Sequence, residues 1–82
     1  MKVTVLYFAA ARDAAGCTEE QVDLPENVTR VRELVTWLGR RFPLLVPHLD
    51  CVRIARNEQF AADDEVISQD DVLAVLPPVA GG

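Results

Sequence analysis

The stretch 31-VRELVTWLGRRF-42 decides the fold, because it holds the clearest periodicity in the chain. Apolar residues recur at spacings of three and four, which is the repeat of one helix face; they are Val31, Leu34, Val35, Leu38 and Phe42. Thr29 offers a hydroxyl to cap the helix, and Pro43 cannot continue it. The sequence therefore predicts one main amphipathic helix that stops just before Pro43.

Extended segments lie on both sides of this helix. Residues 2–8 and 18–24 alternate in the manner of strands and predict a hairpin, with residues 9–16 as a connector. After the helix, we expect an irregular crossover at 44–50. Val72 to Leu76 is nearly all apolar, which favours a central strand covered on both faces.

Shorter segments fill the remainder. Cys51 to Ala55 predicts a strand, Asn57-Glu58 a turn, and Gln59 to Ala62 a short edge strand. Asp63-Asp64-Glu65 predicts a solvated loop rather than a metal site, because its spacing lacks the alternating ligands of a calcium loop.

This order of elements predicts an α+β fold in which one helix crosses one face of a mixed sheet. A β-grasp satisfies it, with the first and last strands parallel at the centre of the sheet and a right-handed crossover between them. We expect one β-grasp domain over residues 1–76 and a flexible extended tail over 77–82.

Length and charge exclude several functions. A chain of 82 residues has room for one core but not for a deep enclosed pocket, so chemistry is expected on its surface or in a partner. The net charge of −5 disfavours nucleic acid and anionic membranes as ligands. The sequence shows no signal-peptide pattern and no apolar run long enough for a bilayer, so we expect a cytoplasmic protein.

The tail has a composition of its own. Two prolines end strand pairing and favour an extended conformation, and the small residues after them could thread a narrow channel; the six are Pro77, Pro78, Val79, Ala80, Gly81 and Gly82. With no Cβ on Gly82, its carboxyl carbon is open to attack. Such a terminus suits a carboxylate that ATP-dependent adenylation activates for a sulfur or nitrogen nucleophile, although a merely frayed end is the alternative.

The charges are unevenly distributed along the chain, and the remaining reactive residues form no recognisable site. Residues 1–56 hold eight basic and seven acidic residues, whereas 57–82 hold six acidic residues and no basic one. The half that bears the tail would therefore be steered toward a basic partner. Cys17, Cys51 and His48 show no metal-ligand or catalytic spacing, and Trp37 is expected in the core or at its rim.

The whole chain resembles the small, sulfur-carrying subunit of molybdopterin synthase. The resemblance rests on KVTVLYFA at residues 2–9, RDAAG at 12–16, TRVREL at 29–34, Asn57, and above all DVLAVLPPVAGG at 71–82. Asp70 departs from the family, which usually has glycine there, but aspartate tolerates the left-handed backbone better than most residues.

The resemblance implies a sulfur carrier of molybdenum cofactor biosynthesis that is not catalytic alone. An E1-like adenylyltransferase would activate Gly82 with ATP, and a desulfurase or rhodanese relay would supply sulfur to form a thiocarboxylate. The large catalytic subunit would bind the carrier in a heterotetramer, and Gly82 would donate sulfur to the pterin precursor. No cofactor would be bound by this chain itself.

The resemblance also implies an apolar partner interface on the sheet face away from the helix, formed by Phe8, Phe60 and Leu76. The sequence is consistent with it, since Phe8 is opposite in phase to the apolar positions Val3 and Val5. Simple core packing is the alternative for these aromatic residues. Two other functions also remain open: a sulfur carrier for thiamine, cysteine or tRNA thiolation, and a ubiquitin-like protein modifier.

Overall fold

The computed structural model describes residues 1–77, so the predictions for Pro78, Val79, Ala80, Gly81 and Gly82 lie outside the described residues. The elements are, in chain order, β1 (Lys2–Tyr7), α1 (Ala9–Ala15), β2 (Glu19–Asp23), α2 (Val31–Arg41), a 3₁₀ helix (Pro43–His48), β3 (Arg53–Arg56), β4 (Gln59–Phe60) and β5 (Val72–Leu76).

The five strands form one mixed sheet in the order β2-β1-β5-β3-β4. β1 pairs with β2 in an antiparallel hairpin and with β5 in parallel, while β3 is antiparallel to both β5 and β4. β5 thus lies at the centre of the sheet and β4 at its edge. This arrangement confirms the predicted β-grasp topology, including the parallel pairing of the first and last strands.

The core lies between the sheet and α2. Val3, Val5 and Tyr7 of β1 are buried on the same side as Leu73 and Val75 of β5. Helix α2 contributes the buried residues Val31, Leu34 and Leu38, and Val35 and Phe42 pack against this core. The helical periodicity therefore identified the buried face of α2.

The N-terminus of α2 is capped differently from the prediction. The Thr29 hydroxyl donates to the Glu33 carboxylate at 3.0 Å, so it does not cap the helix amides. The same carboxylate oxygen accepts the backbone N–H groups of Thr29 and Arg30 at 3.0 and 2.9 Å. These hydrogen bonds hold the pKa of Glu33 below its usual range. The Glu33 carboxylate thus caps the helix in place of the predicted Thr29 hydroxyl.

An ion pair between Arg41 and Glu20 connects the C-terminus of α2 to β2. Arg41 donates from Nε and Nη2 to the two Glu20 oxygens at 3.1 and 3.0 Å, and the Tyr7 hydroxyl donates to the same carboxylate at 2.8 Å. Burial and the neighbouring Glu20 raise the pKa of the Tyr7 phenol well above its usual range. The Arg41 guanidinium also lies 5.4 Å from the ring centre of Trp37, which packs at the rim of the core.

Two segments predicted as irregular are helical. The connector contains α1, whose sequence AAARDAA has high intrinsic helix propensity, and Gly16 ends it with a φ of 77°. The crossover contains the 3₁₀ helix, which places Leu45 in the core despite its two prolines. Both elements are only six or seven residues long, and short helices carry little periodicity.

Four strands differ from their predicted bounds, β1 and β2 by one residue at an end and β3 and β4 by up to two. β3 begins at Arg53 rather than Cys51, because the amides of Cys51 and Val52 both donate to the carbonyl of His48 and close the 3₁₀ helix. β4 ends at Phe60 rather than Ala62. The edge position predicted for this strand is confirmed.

Candidate functional site

The point where the chain leaves the sheet lies on the face opposite α2. β5 ends at Leu76 and Pro77 follows. Leu73 and Val75 are buried beneath the helix, but Val72, 38% exposed, faces the other side with Ala74 and Leu76. The prediction that β5 is covered on both faces is wrong for residues 1–77, because no other element of that range packs on this second face.

An open apolar groove of about 290 Å³ occupies this uncovered face, and we call it the sheet-face groove. It is lined by residues from four strands and the loops beside them, namely Leu6, Phe8, Ala55, Glu58, Phe60, Val72, Ala74 and Leu76.

Strand register explains the shape of the sheet-face groove. Ala74 of β5 lies opposite both Leu6 of β1 and Ala55 of β3, and Ala55 in turn lies opposite Phe60 of β4. Facing side chains of paired strands lie next to one another on the same face. Two alanines therefore form a low floor between larger side chains, which creates a concave apolar surface.

The three residues expected at a partner interface all line the sheet-face groove. Phe8 is 46% exposed and Phe60 is 62% exposed, so core packing does not account for either ring. Leu76 is partly buried beside them. Their position on a shared surface agrees with the predicted patch, and binding of a partner there remains a prediction.

A backbone turn positions Phe8, and the Arg53 side chain positions Phe60. Ala9 has a φ of 49° and turns the chain from β1 into α1 directly after Phe8. The Arg53 guanidinium lies 4.1 Å from the ring centre of Phe60, a cation–π contact that supports the ring without lining the groove.

The β3–β4 turn contains two residues in the left-handed region. Asn57 and Glu58 have φ values of 52° and 72°, the pattern of a type I′ hairpin in which glycine is favoured. Asn57 is held by its side chain, which donates to Asp71 at 2.9 Å and accepts the Val72 amide at 2.9 Å. Glu58 lines the sheet-face groove, a role that its prediction as a turn residue did not reveal.

Asp71 organises the start of β5. Its buried carboxylate accepts hydrogen bonds from the Arg56 guanidinium, the Asn57 amide group and the Ser68 backbone N–H. Burial acts to raise the pKa of Asp71, but these hydrogen bonds outweigh it and hold the pKa below its usual range. The preceding Asp70 has a φ of 68°, so it adopts the left-handed backbone expected at this position.

The remaining reactive residues lie away from the sheet-face groove lining. Cys17 is partly buried and Cys51 exposed, and both are free thiols. Burial, together with the nearby Glu20, raises the pKa of the Cys17 thiol. Within residues 1–77, no three histidine, cysteine, aspartate or glutamate side chains are placed to hold a metal ion.

In the part of the chain that the structure describes, no helix is long and apolar enough to cross a membrane.

Comparison with known proteins matches both sequence and fold. The sulfur carrier subunit of molybdopterin synthase from Mycobacterium tuberculosis is 38% identical over 82 residues, covering 100% of this chain and 99% of the relative. The solved structure of molybdopterin converting factor subunit 1 from Pyrococcus furiosus is 35% identical, with a TM-score of 0.83 over 96% of this chain and 99% of that one. SAMP1 from Haloferax volcanii is 27% identical, with a TM-score of 0.84 and complete coverage of both chains.

The family comparison covers nearly the whole chain. The sequence pattern of the ThiS family matches residues 5–82, which include every residue that lines the sheet-face groove and the Gly81-Gly82 end. With the β-grasp topology, the matching family pattern and a relative 38% identical over 99% of its length, this chain is a member of the ThiS family.

Proposed function

We propose that this chain is the sulfur carrier of molybdopterin synthase, and that its reactive group is the carboxylate of Gly82. The observation that carries the proposal is the position of the sheet-face groove at the end of central strand β5. The tail begins at Pro77, beside the Leu76 wall of the groove, so a protein that binds the groove would receive the tail.

The chemistry proposed for Gly82 begins with activation. A carboxylate is a poor electrophile because it is negatively charged and has no good leaving group. Attack of the carboxylate on the α-phosphate of ATP releases pyrophosphate and gives an acyl-adenylate. The terminal sulfur of a persulfide on the sulfur donor then forms a C–S bond to the Gly82 carbonyl carbon as the C–O bond to AMP breaks, which gives an acyl disulfide. A second thiol attacks the donor's sulfur in that acyl disulfide, which releases the thiocarboxylate and leaves a disulfide between that thiol and the donor.

We propose three protein partners for this chemistry: an activating enzyme, a sulfur donor and a sulfur acceptor. An E1-like adenylyltransferase would use ATP, a desulfurase or rhodanese would supply sulfur, and the large molybdopterin synthase subunit would receive the tail. The fit of the large subunit is supported by relatives named as carrier subunits of molybdopterin synthase. The apolar groove supports it as well, since aromatic side chains such as the exposed Phe8 and Phe60 are enriched in protein interfaces.

Intact-mass spectrometry tests the proposed function. The purified chain is incubated with its activating enzyme, ATP and a sulfur donor, and its mass is expected to rise by one exchange of oxygen for sulfur. Omission of ATP should prevent the shift. Deletion of Gly82, or replacement of Gly81 by a bulky residue, should abolish loading or transfer. An unchanged mass with an active activating enzyme would contradict the proposal.

A protein-modifier function is the second candidate. It is favoured by the fold shared with SAMP1, small archaeal modifier protein 1, from Haloferax volcanii. In that case Gly82 would form isopeptide bonds with lysines of other proteins, visible as heavier species in extracts. Lys2 is the only lysine of the chain, which leaves little opportunity for chain building. A carrier for thiamine, cysteine or tRNA thiolation would instead load sulfur normally but fail to bind the large molybdopterin synthase subunit.

A further inference from the structure

The sheet-face groove carries one charge in an otherwise apolar lining. Among residues 1–77, Glu58 is the only charged residue that lines it. The side chain of Glu58 is exposed, and its carboxylate takes part in none of the ion pairs formed within that range. The Arg53 guanidinium contacts the ring of Phe60 and does not line the groove.

The local fold does not need glutamate at this position. Glu58 has a φ of 72°, where a side chain is disfavoured and glycine is not. The neighbouring Asn57 secures the turn through its hydrogen bonds to Asp71 and Val72, whereas Glu58 adds no such bond. A strained backbone position that carries a charge beside a binding surface points to a role in recognition.

A partner that fills the sheet-face groove also covers the Glu58 carboxylate and removes water from it. Covering an ionised carboxylate with apolar atoms alone costs free energy, because the hydrogen bonds to water are lost and no others replace them. A cation placed opposite restores the lost interaction. The charge therefore favours partners with a base at this point and penalises apolar partners that lack one.

We propose that Glu58 selects the partner of this carrier. The surface that fills the sheet-face groove is an apolar ridge of the large molybdopterin synthase subunit that places an arginine or lysine beside Glu58. The absence of basic residues from 57–82, against six acidic ones, agrees with a cationic partner. This inference rests on the proposed function, because it names a contact within the complex which that function requires.

Isothermal titration calorimetry of the full chain against the purified large subunit tests the contact. Glu58→Gln keeps the size of the side chain and removes its charge, so binding should weaken by about tenfold at low salt. Glu58→Lys should weaken it by about a hundredfold or more, since two cations would then face each other. Added salt should reduce the difference between wild type and Glu58→Gln.

Asp64→Asn is the matched control, because it removes the same charge from an exposed loop residue that does not line the groove. Its affinity should stay within about twofold of wild type, as long-range attraction alone changes little at physiological salt. Equal losses in Asp64→Asn and Glu58→Gln would show general steering and overturn the specific contact.

The remaining outcomes separate the two proposals. Wild-type affinity in Glu58→Gln would overturn the role of Glu58 and leave the proposed function intact. Failure of the wild-type chain to bind the large subunit would overturn the proposed function itself. Thermal denaturation of both Glu58 variants should match wild type, because the residue is exposed and each replacement keeps a long side chain.

Discussion

At the scale of single residues, the β3–β4 turn holds two side chains in the same unfavourable backbone region for different reasons. Glu58→Gly removes backbone strain at φ 72° and breaks no hydrogen bond within residues 1–77. We expect it to raise the free energy of unfolding by about 1 kcal/mol, which shifts the melting temperature by roughly 4 to 8 °C. Thermal denaturation followed by circular dichroism measures the change.

Asn57→Gly is the matched variant for that turn. It relieves the backbone at φ 52° but removes the hydrogen bonds to Asp71 and to the Val72 amide. We expect a net loss of about 1 to 2 kcal/mol, because two hydrogen bonds are lost, one of them to the buried Asp71 carboxylate. Stabilisation by both variants would show that the Asn57 side chain contributes nothing.

The Asp71 carboxylate predicts a dependence of stability on pH. Its pKa is lower in the folded chain than the usual aspartate value near 4, so its ionised form stabilises the fold above that value. This contribution is lost as the pH falls through the lowered pKa. Asp71→Asn should therefore cost about 2 to 3 kcal/mol at neutral pH and progressively less in acid.

Urea unfolding of wild type and Asp71→Asn over a series of pH values measures this difference. Asp70→Asn is the control, because Asp70 is exposed and asparagine also tolerates its φ of 68°. A gap between wild type and Asp71→Asn that stayed constant down to strongly acidic pH would contradict the assignment.

At the scale of elements, α2 packs tightly against the segment that follows it. Gly39 is buried, and a Cβ at this position would lie 2.7 Å from Leu49 Cδ1 and 3.6 Å from Val46 Cγ2. Leu49 could turn aside for one methyl group, but a branched side chain has no such room. Gly39→Val should therefore lower the free energy of unfolding by about 1 to 3 kcal/mol.

Arg40→Val is the control for Gly39→Val, because it places the same side chain at the next, exposed position of α2. It carries the helix-propensity cost of valine without the crowding, so denaturant unfolding should show a change below about 1 kcal/mol. Equal effects of the two variants would contradict the close contact.

The elements differ in how far the sequence could predict them. The apolar stripe of α2 covers three turns, so its period is unambiguous, and burial alternates along β1, whereas β2 has one buried residue, Val22. α1 and the 3₁₀ helix are too short to show a period. β5 was predicted as central, but its apolar outer face reflects the sheet-face groove rather than burial.

At the scale of the whole molecule, the sheet-face groove and the core should respond separately to mutation. Phe60 is 62% exposed, so Phe60→Glu should change the free energy of unfolding by less than about 1 kcal/mol. The same change places a charge in the proposed apolar interface and should weaken binding of the large subunit by more than about a hundredfold. Calorimetric titration and thermal denaturation measure the two effects.

Leu44→Glu provides the control for Phe60→Glu. Leu44 is 73% exposed in the 3₁₀ helix and does not line the sheet-face groove. Its replacement should leave both stability and binding close to wild type. Weakened binding by Leu44→Glu, or normal binding by Phe60→Glu, would contradict the interface.

The candidate site was only partly predictable at this scale. The strand phase of Phe8, opposite to that of Val3 and Val5, was consistent with the outer face but left core packing open, and Phe60 was expected on an edge strand. The alanine floor could not be predicted, because Ala55 and Ala74 become neighbours through a pairing register that single strands do not specify. Glu58 joins the groove for the same reason, since its position depends on the turn that β3 and β4 form.

The central position of β5 has a consequence for synthesis of the protein. Among residues 1–77, β1 and β3 do not pair with each other and are joined only through β5, which is the last strand of that range to leave the ribosome. A nascent chain that stops before Val72 leaves both neighbours without their shared partner and exposes the apolar surface of α2. Premature termination products would then be substrates for proteases, and would not compete with complete carriers for a docking site.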